Sequence, residues 1–518
     1  MANVPSQRQS SLDRLVGYIR WRIAGKPFTH GAAGYDAWME AYDPLLPTKQ
    51  DVGVVSIICP VHDPHPDHLE QAIRSALEQS YAPIELVLID DASARDTTAA
   101  VLDRFRHHPN VAVVSHEENR GIAASLNTGI DAASGEVLVF LDHDDVLAPD
   151  AVAWLGTALA DADVAYTDED QITPEGDRVQ PFLKPAWSPM LLLGMNYVNH
   201  ATAIKKATIE SLGGFNDRFS GAQDHDLMLR VAESGAVVVH VPKVLYHWRQ
   251  SPESVAHDVD AKPWALDAAR ACLAASLERR GVAANVIDAP DVGPYRFAIR
   301  FAGEQPAPHI ITGANDLTMR ELNELVADAS QDTIMFVPDH EVPDDAIVTQ
   351  LSGWLRLQGV AACGPMILDT DGRVAEAGWT IDHTGASPYG AGRVLAPEPF
   401  LEVARDTTAL GGRYLVVARD HFLAVGGFIE GRTLTEAGVD LTFKLTTRLG
   451  LTCVADSTIR IRNTTPDPIS LISPTMTEQD KFVSPHVGTD GIEISAVPDD
   501  IAARRVLLGL RDALPPTA

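Results

Sequence analysis

Residues 135–145 read GEVLVFLDHDD, and this stretch decides the fold. Its apolar centre, residues 137–141, is followed at once by four ionisable residues, 142–145. Such a run predicts a buried strand that ends in an acidic loop, and ligands bind at this end of the strands in an open α/β sheet. Asp142 and Asp144 repel each other unless a cation or a donor-rich ligand lies between them. The loop is therefore a candidate cation site, although an acidic turn before the next helix would have the same sequence.

The composition is that of a strongly acidic globular protein. With 41 Lys and Arg against 71 Asp and Glu in 518 residues, the formal charge is −30. That field repels nucleic acid, which we exclude as a partner. The four cysteines are far apart and sit among apolar neighbours, which predicts buried free thiols in a reducing compartment. No apolar run is long enough to span a bilayer, so a cytoplasmic location is expected.

One segment near the N-terminus is basic. Residues 11–28 place apolar side chains at helical spacing and carry four Lys and Arg residues. Such a stripe usually packs on a core, but a basic amphipathic helix can also lie on an anionic membrane surface. We expect packing and keep peripheral contact with the inner face of the cytoplasmic membrane as the alternative.

Strand and helix patterns alternate ahead of the acidic loop. Apolar, β-branched runs occur at 53–59, 84–89 and 111–115, with helical stripes between them. This alternation predicts a mostly parallel, doubly wound α/β sheet. His62-Asp63 and Asp90-Asp91 follow two of these strands, so they should meet the acidic loop at one edge of the sheet.

The turn after the first strand reads CPVHDPHPDH and lacks the G-x-G-x-x-G that admits a pyrophosphate to the backbone. If a nucleotide binds, a divalent cation held by the acidic loop is the candidate for handling its phosphates.

Two further acidic groups follow. Asp168, Glu169 and Asp170 are expected to form a solvated turn. Asp224 and Asp226 open a helix within GAQDHDLMLR. A carboxylate at a helix start can be a simple cap that is stabilised by the helix dipole. Capping does not account for both carboxylates together with the histidine between them, so the pair is a candidate catalytic group.

Residues 52–250 resemble the family 2 glycosyltransferases of GT-A fold. The resemblance rests on six motifs in the family's order and spacing: SIICPVHDP, LVLIDDAS, ENRGIAASLNTGIDAASGEVLVFLDHDD, PFLKPAWSP, LGGFNDRF and AQDHDLMLR. It implies inverting transfer of a sugar from a UDP or dTDP donor to a hydroxyl of a glycan or lipid-linked glycan, assisted by Mg²⁺ or Mn²⁺. PFLKPAWSP and NYVNH are similar to the rhamnosyltransferase-like subset that builds bacterial cell-surface polysaccharides.

The resemblance also implies roles for individual residues. Asp224 matches the catalytic base, which removes the acceptor proton. Asp144 matches the metal-binding end of the family's D-x-D, and His247 stands near a further metal ligand of some members, with a core or surface histidine as the alternative. Asp91 matches the acceptor of the pyrimidine N3–H. The other donor-side residues are Pro60, Val61, His62, Asp63, Arg120, Asp142 and His143, and the acceptor-side residues are Asp226, His225, Asn196 and Tyr197.

The second half is predicted to repeat the fold in truncated form. Residues 327–345 echo residues 132–150, and residues 408–456 echo the segment that contains the base. Gly438 stands where Asp224 stands in the first copy, so the base is missing. The region between 295 and 333 is too short for the strands that carry Asp63 and Asp91.

The second copy also replaces the acidic loop with Asp339-His340-Glu341 after a proline. We therefore predict a domain that has lost its donor site and serves acceptor binding, domain packing or homo-oligomerisation.

The predicted organisation is an N-terminal helical region (1–50), a catalytic GT-A domain (51–260), a helical linker (261–290), a degenerate GT-A-like domain (291–463) and a tail (464–518). The predicted function is that of a metal-dependent glycosyltransferase. The alternative is a catalytically inactive carbohydrate-binding or scaffold protein of a glycan assembly pathway. The presence of Asp91, Asp144 and Asp224 argues against that alternative.

Overall fold

The computed structural model describes residues 51–250, 263–289, 294–303, 306–382, 385–391 and 399–462. The basic helix predicted at 11–28 and the tail at 464–518 lie outside the described residues. Within the described residues, no helix is long and apolar enough to cross a membrane. All four cysteines are free and buried, which confirms that part of the prediction made for them.

The first half of the chain alternates strands and helices as predicted. Its strands are β1 (Val55–Val61), β2 (Ile84–Asp90), β3 (Val111–Ser115), β4 (Val137–Phe140), β5 (Val146–Leu147), β6 (Val164–Ile172), β7 (Arg178–Phe182), β8 (Thr202–Lys205) and β9 (Val238–Arg249). Its helices are α1 (Pro66–Leu77), α2 (Asp96–Phe105), α3 (Ile122–Ala132), α4 (Ala151–Leu159), α5 (Lys206–Ser211) and α6 (Gln223–Ser234).

These strands form one nine-stranded sheet in the order β3-β2-β1-β4-β8-β6-β9-β5, with β7 beside β6. The first four strands in this order are parallel, and β8 runs antiparallel between β4 and β6. Alternate residues of β1 enter two cores, since Ile58 packs with α3 while Ile57 and Cys59 pack with α1 and α4. Helices therefore cover both faces, and the mixed α/β sheet of the GT-A type is confirmed.

The predicted end of the first strand was wrong. We expected it to stop before Pro60, but β1 continues to Val61 and pairs with β2 along its whole length. On the other side, β4 pairs with β1 only as far as Ile58. Pro60 therefore lies where the ladder to β4 has ended, so its missing N–H leaves no strand partner unsatisfied.

The second half begins with α7 (Pro263–Arg279) and a hairpin of β10 (Ala284–Asp288) and β11 (Phe297–Phe301). The predicted linker 261–290 thus includes a strand as well as a helix. The strands that follow are β12 (His309–Ile311), β13 (Thr333–Phe336), β14 (Val360–Leu368), β15 (Val374–Glu376), β16 (Trp379–Asp382), β17 (Gly385–Pro388), β18 (Ala404–Thr407), β19 (Val416–Ala418) and β20 (Thr452–Arg462). The helices are α8 (Met319–Asp328), α9 (Asp345–Gly353), α10 (Arg419–Ala424) and α11 (Leu434–Leu449).

The second sheet repeats the strand order of the first. It runs β12-β13-β19-β14-β20-β18, and the β13·β19, β14·β19 and β14·β20 pairs have the same directions as β4·β8, β6·β8 and β6·β9. A side-chain clamp is repeated too. Asn127 exchanges two hydrogen bonds of 2.9 and 2.8 Å with the backbone of Phe215, and Asn323 does the same with Phe428 at 2.9 Å each. The structure thus confirms a second sheet domain of the same kind.

The repeat is truncated, with one correction to our expectation. A short first strand is retained, because β12 lies parallel to β13 where β1 lies parallel to β4. Beyond β12, no strand of the described residues corresponds to β2 or β3.

The start of α11 is packed against the backbone that faces it. A Cβ atom on Gly438, which aligns with Asp224, would lie 2.0 Å from the backbone nitrogen of Gly412. A Cβ on Gly412 would lie 2.2 Å from the carbonyl oxygen of Leu434. The alignment of the two helices is supported by matching ion pairs, Asp226–Arg230 at 2.8 Å and Asp440–Lys444 at 2.5 Å. The space that would hold a base is therefore filled by backbone in the second copy.

One apolar core joins the two sheets. It includes Leu191, Leu192 and Leu193 from the first half together with Val403 and many residues of the second. The rings of Phe182 and Phe400 also stack, with centroids 5.7 Å apart. The domain boundaries given above stay predictions, but the two halves pack on each other directly.

We predict that Gly438→Ala lowers the free energy of unfolding by about 1–3 kcal/mol, the usual range for overpacking. At an exposed helix position the same change would stabilise the protein by about 1 kcal/mol. The sign of the change in the free energy of unfolding therefore distinguishes a closely packed site from an open one. Chemical denaturation measures it. Leu449→Ala, at an exposed position of the same helix, is the control and should change stability by less than about 0.5 kcal/mol. A stabilised Gly438→Ala protein would contradict the packing argument.

Candidate active site

Asp145 anchors the acidic loop that follows β4. It is fully buried, and its carboxylate accepts hydrogen bonds from the Tyr246 hydroxyl at 2.6 Å and from the Arg249 backbone N–H at 2.8 Å. Burial and the charges of Asp142 and Asp144 raise its pKa well above the usual range. Asp145 is thus a structural residue, and the loop is tied to β9.

Asp142 and Asp144 instead line a cavity of about 670 Å³, a volume within the usual range for small-molecule sites. Glu169 from β6 and Asp224 from α6 line the same cavity. No lysine or arginine of the described residues does so. The cavity therefore combines four carboxylates and three histidines, His143, His200 and His225, with no lysine or arginine among its described lining residues.

The electrostatics of Asp142 show the effect of this crowding. Burial raises its pKa, and the charges of Asp144 and Asp224 raise it further, although His200 and His143 oppose the shift. The His200 ring nitrogen lies 3.7 Å from the carboxylate. Any cation bound near Asp142 would relieve this repulsion.

The donor set fits Mg²⁺ or Mn²⁺, which prefer oxygen ligands. Among the described residues, no group of three or more His, Cys, Asp or Glu side chains is arranged to hold a metal alone. That is consistent with a Mg²⁺-type site, in which one or two carboxylates share the ion with substrate phosphates and water. Asp144 and Asp142 are the residues that would hold it.

Asp224 lies in the first turn of α6, as predicted, and faces the cavity. Its Oδ2 accepts a hydrogen bond of 3.0 Å from the Asn196 side-chain amide. The Oδ1 atom of Asn196 is buried and has no hydrogen-bond partner within the described part of the chain. The pair therefore offers a carboxylate beside a free buried acceptor, two groups that suit a hydroxyl-bearing ligand.

The other predicted acceptor-side residues have structural contacts. Asp226 is fully buried and forms an ion pair with Arg230 at 2.8 Å. The hydroxyl of Tyr197 is buried and accepts from the Ser188 N–H at 2.7 Å. A ring nitrogen of His225 lies 2.7 Å from the Leu192 carbonyl oxygen, and burial lowers its pKa. Of these three only His225 borders the cavity, so the structure does not bring Asp226 or Tyr197 to its wall.

His247 is directed to a carboxylate outside the cavity. Its Nδ1 lies 2.6 Å from Asp170, which also accepts a hydrogen bond from Arg178. His247 is not among the residues that line the cavity. Its role as a metal ligand stays a prediction, and the structure does not bring it to Asp144.

The solvated turn that we expected at Asp168-Glu169-Asp170 was wrong. These residues belong to β6, and Asp168 and Asp170 are buried. Asp168 accepts from the Lys184 N–H at 2.8 Å and lies 2.8 Å from a ring nitrogen of His240. Partners from distant segments allow the acids to be buried, because each carboxylate is paired. Glu169 between them borders the cavity beside the buried ammonium of Lys184, at 3.0 Å.

The donor-side residues meet at the ends of β1 and β2. A ring nitrogen of His62 lies 3.0 Å from the Asp91 carbonyl oxygen, and Asp63 accepts from the Arg95 N–H at 2.8 Å. Pro60 and Val61 are buried within β1. The Pro60 carbonyl oxygen lies 3.1 Å from a ring nitrogen of His143, which links this group to the acidic loop.

Asp91 is engaged by its own chain. Its carboxylate accepts from the backbone N–H groups of Arg120 and Gly121, at 2.9 and 2.8 Å, and lies 2.6 Å from a ring nitrogen of His116. Burial opposes ionisation, but these bonds outweigh it and lower the pKa of Asp91. The Arg120 side chain borders a different cleft, near Asp131 and Arg230. The roles proposed for Asp91 and Arg120 in nucleotide binding stay predictions.

Sequence reasoning missed one wall of the cavity. Trp264 from α7, Tyr295 just before β11, Phe297 at the start of β11 and Trp248 of β9 are aromatic residues that line it. These residues lie outside the motifs used above, and no local pattern marks them. The packing of the second half brings Trp264, Tyr295 and Phe297 to the site.

Comparisons with known proteins identify the relatives of the chain. Residues 56–189 match the family model described as glycosyl transferase family 2. The uncharacterised protein y4gI of Sinorhizobium fredii is 31% identical over 473 residues, which are 77% of this chain and 52% of the relative. The O-antigen biosynthesis protein RfbC of Myxococcus xanthus is 27% identical over 498 residues, which are 82% of this chain and 39% of the relative. The chain thus spans about half or less of the length of these relatives.

A solved structure of S. aureus TarS 1–349 in complex with UDP-GlcNAc aligns with a TM-score of 0.35 and 18% identity, over 43% of this chain and 66% of that chain.

We predict that Asp142→Asn raises the melting temperature at pH 7 in metal-free buffer. An acid whose pKa is higher in the folded than in the unfolded state makes folding less favourable as the pH rises above about 4. Asparagine does not titrate, so the advantage of the variant should grow from pH 4 to pH 7. Thermal melting across this range measures it, with exposed Asp131→Asn as the control. A variant that is less stable than the wild type at pH 7 would contradict the assigned repulsion.

Proposed function

We propose that the protein, whose residues 56–189 match the model of glycosyl transferase family 2, transfers a sugar from a nucleotide-diphosphate donor to a hydroxyl of a glycan or lipid-linked glycan. The donor nucleotide is UDP or dTDP, and the transfer inverts the anomeric configuration. The product is part of a cell-surface polysaccharide. The name of the RfbC relative, an O-antigen biosynthesis protein, supports this last step.

One observation carries the proposal. A single cavity holds Asp142 and Asp144 at the end of β4 and Asp224 at the start of α6, with no lysine or arginine among its described lining residues. A diphosphate would be repelled by such a wall unless a cation came with it. The arrangement supports separate roles for these residues, in which Asp142 and Asp144 bind the donor with its cation and Asp224 acts on the acceptor.

Asp224 acts as the general base. The acceptor hydroxyl donates to its carboxylate and loses its proton there while the hydroxyl oxygen attacks the anomeric carbon from the face opposite the diphosphate. The bond from the anomeric carbon to the diphosphate oxygen breaks as the new bond forms, so configuration inverts. The 3.0 Å hydrogen bond from Asn196 fixes the orientation of the carboxylate and leaves its other oxygen to the acceptor.

The donor lies between the acidic loop and the group at the ends of β1 and β2. His62 and Asp91 take the base and ribose side, and Asp142 and Asp144 take the diphosphate side. Mg²⁺ or Mn²⁺, when bound, supplies charge neutralisation to the leaving diphosphate. His143 keeps the two groups in register through its contact with the Pro60 carbonyl oxygen at 3.1 Å.

We predict that Asp224→Asn lowers kcat by at least about a hundredfold, the usual contribution of a general base. Donor affinity should stay unchanged, because the side chain keeps its size and faces the acceptor. Transfer assays with a panel of UDP- and dTDP-sugars measure the rate, and exposed Asp217→Asn in the preceding turn is the control. A wild-type protein that consumes none of these donors would favour the inactive scaffold function instead.

We also predict that Asp144→Ala abolishes the binding of donor in the presence of Mg²⁺ or Mn²⁺, because the ion would lose its carboxylate ligand. Isothermal titration calorimetry with and without the metal measures it. Exposed Asp161→Ala should behave as the wild type. Undiminished metal-dependent donor binding by the Asp144→Ala protein would sink the metal assignment.

A further inference from the structure

We propose that Trp264 and Tyr295 form the acceptor subsite and that they bind the ring of an uncharged sugar. The inference rests on the proposed function, because it names the substrate class of the same cavity. Both residues line the same cavity as Asp224, and both lie outside residues 56–189, which match the family model. The specificity for the acceptor would thus come from the second half of the chain.

Trp264 is held close to the base. A Cβ atom on Gly221 would lie 2.3 Å from the ring of Trp264, so the ring rests directly on the backbone three residues before Asp224. Gly221 also has a φ of +88°, and glycine alone meets both demands without strain. The ring therefore lies beside the turn that leads into the helix of Asp224, in the cavity that an acceptor must enter.

The position of the ring is fixed by the helix that carries it. Helix α7 runs along α6, and its far end is pinned by hydrogen bonds from Ser276 and Arg279 to Glu233, at 2.6 and 2.5 Å. The distance between Trp264 and Asp224 is therefore set by two helices rather than by a loop. Even so, the Trp264 side chain is 51% exposed. A large aromatic surface that is rigid and open to the cavity is suited to stacking on the C–H face of a sugar ring.

Tyr295 adds a hydroxyl group to the same cavity lining. Its hydroxyl is buried and has no hydrogen-bond partner among the described residues, and burial raises its pKa. The segment is held near Asn196, because the Phe297 N–H donates to the Gly194 carbonyl oxygen at 2.8 Å. Asn196 Oδ1 is likewise buried without a partner in the described chain. Unpaired buried polar atoms in a cavity indicate a ligand that donates and accepts, as sugar hydroxyls do.

The charges of the cavity lining limit the class of sugar that can bind. Trp264, Tyr295 and Phe297 are neutral, and the same cavity is lined by the carboxylates of Asp142, Asp144 and Glu169. An acidic sugar or a phosphate on the acceptor ring would face these carboxylates with no lysine or arginine among the described lining residues. The acceptor ring that stacks here is therefore uncharged.

Saturation-transfer NMR on the full chain tests the proposal without any nucleotide sugar. The probe is octyl β-D-glucopyranoside below its micelle concentration, with methyl β-D-glucuronide as the charged comparison. We expect saturation of the sugar-ring protons. Trp264→Ala should weaken binding by about three- to tenfold, the contribution of one aromatic contact, while Trp264→Phe should retain most of the affinity. Tyr295→Phe should weaken binding without removing the ring contact.

Several outcomes would overturn the proposal. These are no ring saturation in the wild type, saturation confined to the alkyl chain, equal binding of the glucuronide, and unchanged affinity in Trp264→Ala. Ile287→Ala, at an exposed apolar position outside the cavity, is the control and should bind as the wild type does. Melting curves confirm that each variant is folded. Since donor turnover is measured separately, a chain that binds the glycoside but consumes no donor would refute the proposed function and leave this subsite standing.

Discussion

The buried carboxylate of Asp145 is the constraint on which the site depends. It accepts from the Tyr246 hydroxyl and the Arg249 N–H, and the Tyr246 oxygen in turn accepts from the Asp142 N–H at 3.3 Å. Arg249 also donates to the Asp144 carbonyl oxygen and to Gln71 of α1. A buried carboxylate without partners would be strongly unfavourable, so these contacts fix the loop. Asp142 and Asp144 then face the cavity, where a bound cation would further relieve their mutual repulsion.

Much of the fold could be predicted because it follows from local patterns of apolar and polar residues. The apolar, β-branched runs that became β1 to β4 and the repeat of the second half needed only periodicity and self-similarity. The acids of β6 could not be placed in this way. Asp168 and Asp170 tolerate a buried strand only because His240, Lys184 and His247 reach them from distant positions. Three consecutive acidic residues, taken alone, favour an exposed turn. The residues that pair with them and allow a buried strand are distant in the sequence.

Only part of the site could be predicted from the sequence, because the direction of a side chain depends on the geometry of its helix or strand. Asp224 and Asp226 both stood out in the sequence, but residues two apart on a helix do not share a face. Asp224 therefore faces the cavity and Asn196, whereas Asp226 turns inward to Arg230. The same holds along β9, where Trp248 borders the cavity and its neighbour His247 pairs with Asp170. Residue type and spacing identified the right segments, and the direction of each side chain needed the structure.

The second sheet has lost the space for a base but contributes to the first site. Asp406 of β18 accepts from the Ser188 hydroxyl at 2.5 Å and from the Met190 N–H at 2.8 Å. The next residues form a short 3₁₀ helix, and the Leu192 carbonyl oxygen within it lies 2.7 Å from the ring of His225, beside Asp224. A carboxylate of the second half thus holds the loop that supports the base helix. These contacts support domain packing as one role of the repeat, beside the acceptor binding proposed for Tyr295, because β18 holds a loop of the first half while no described strand corresponds to β2 or β3.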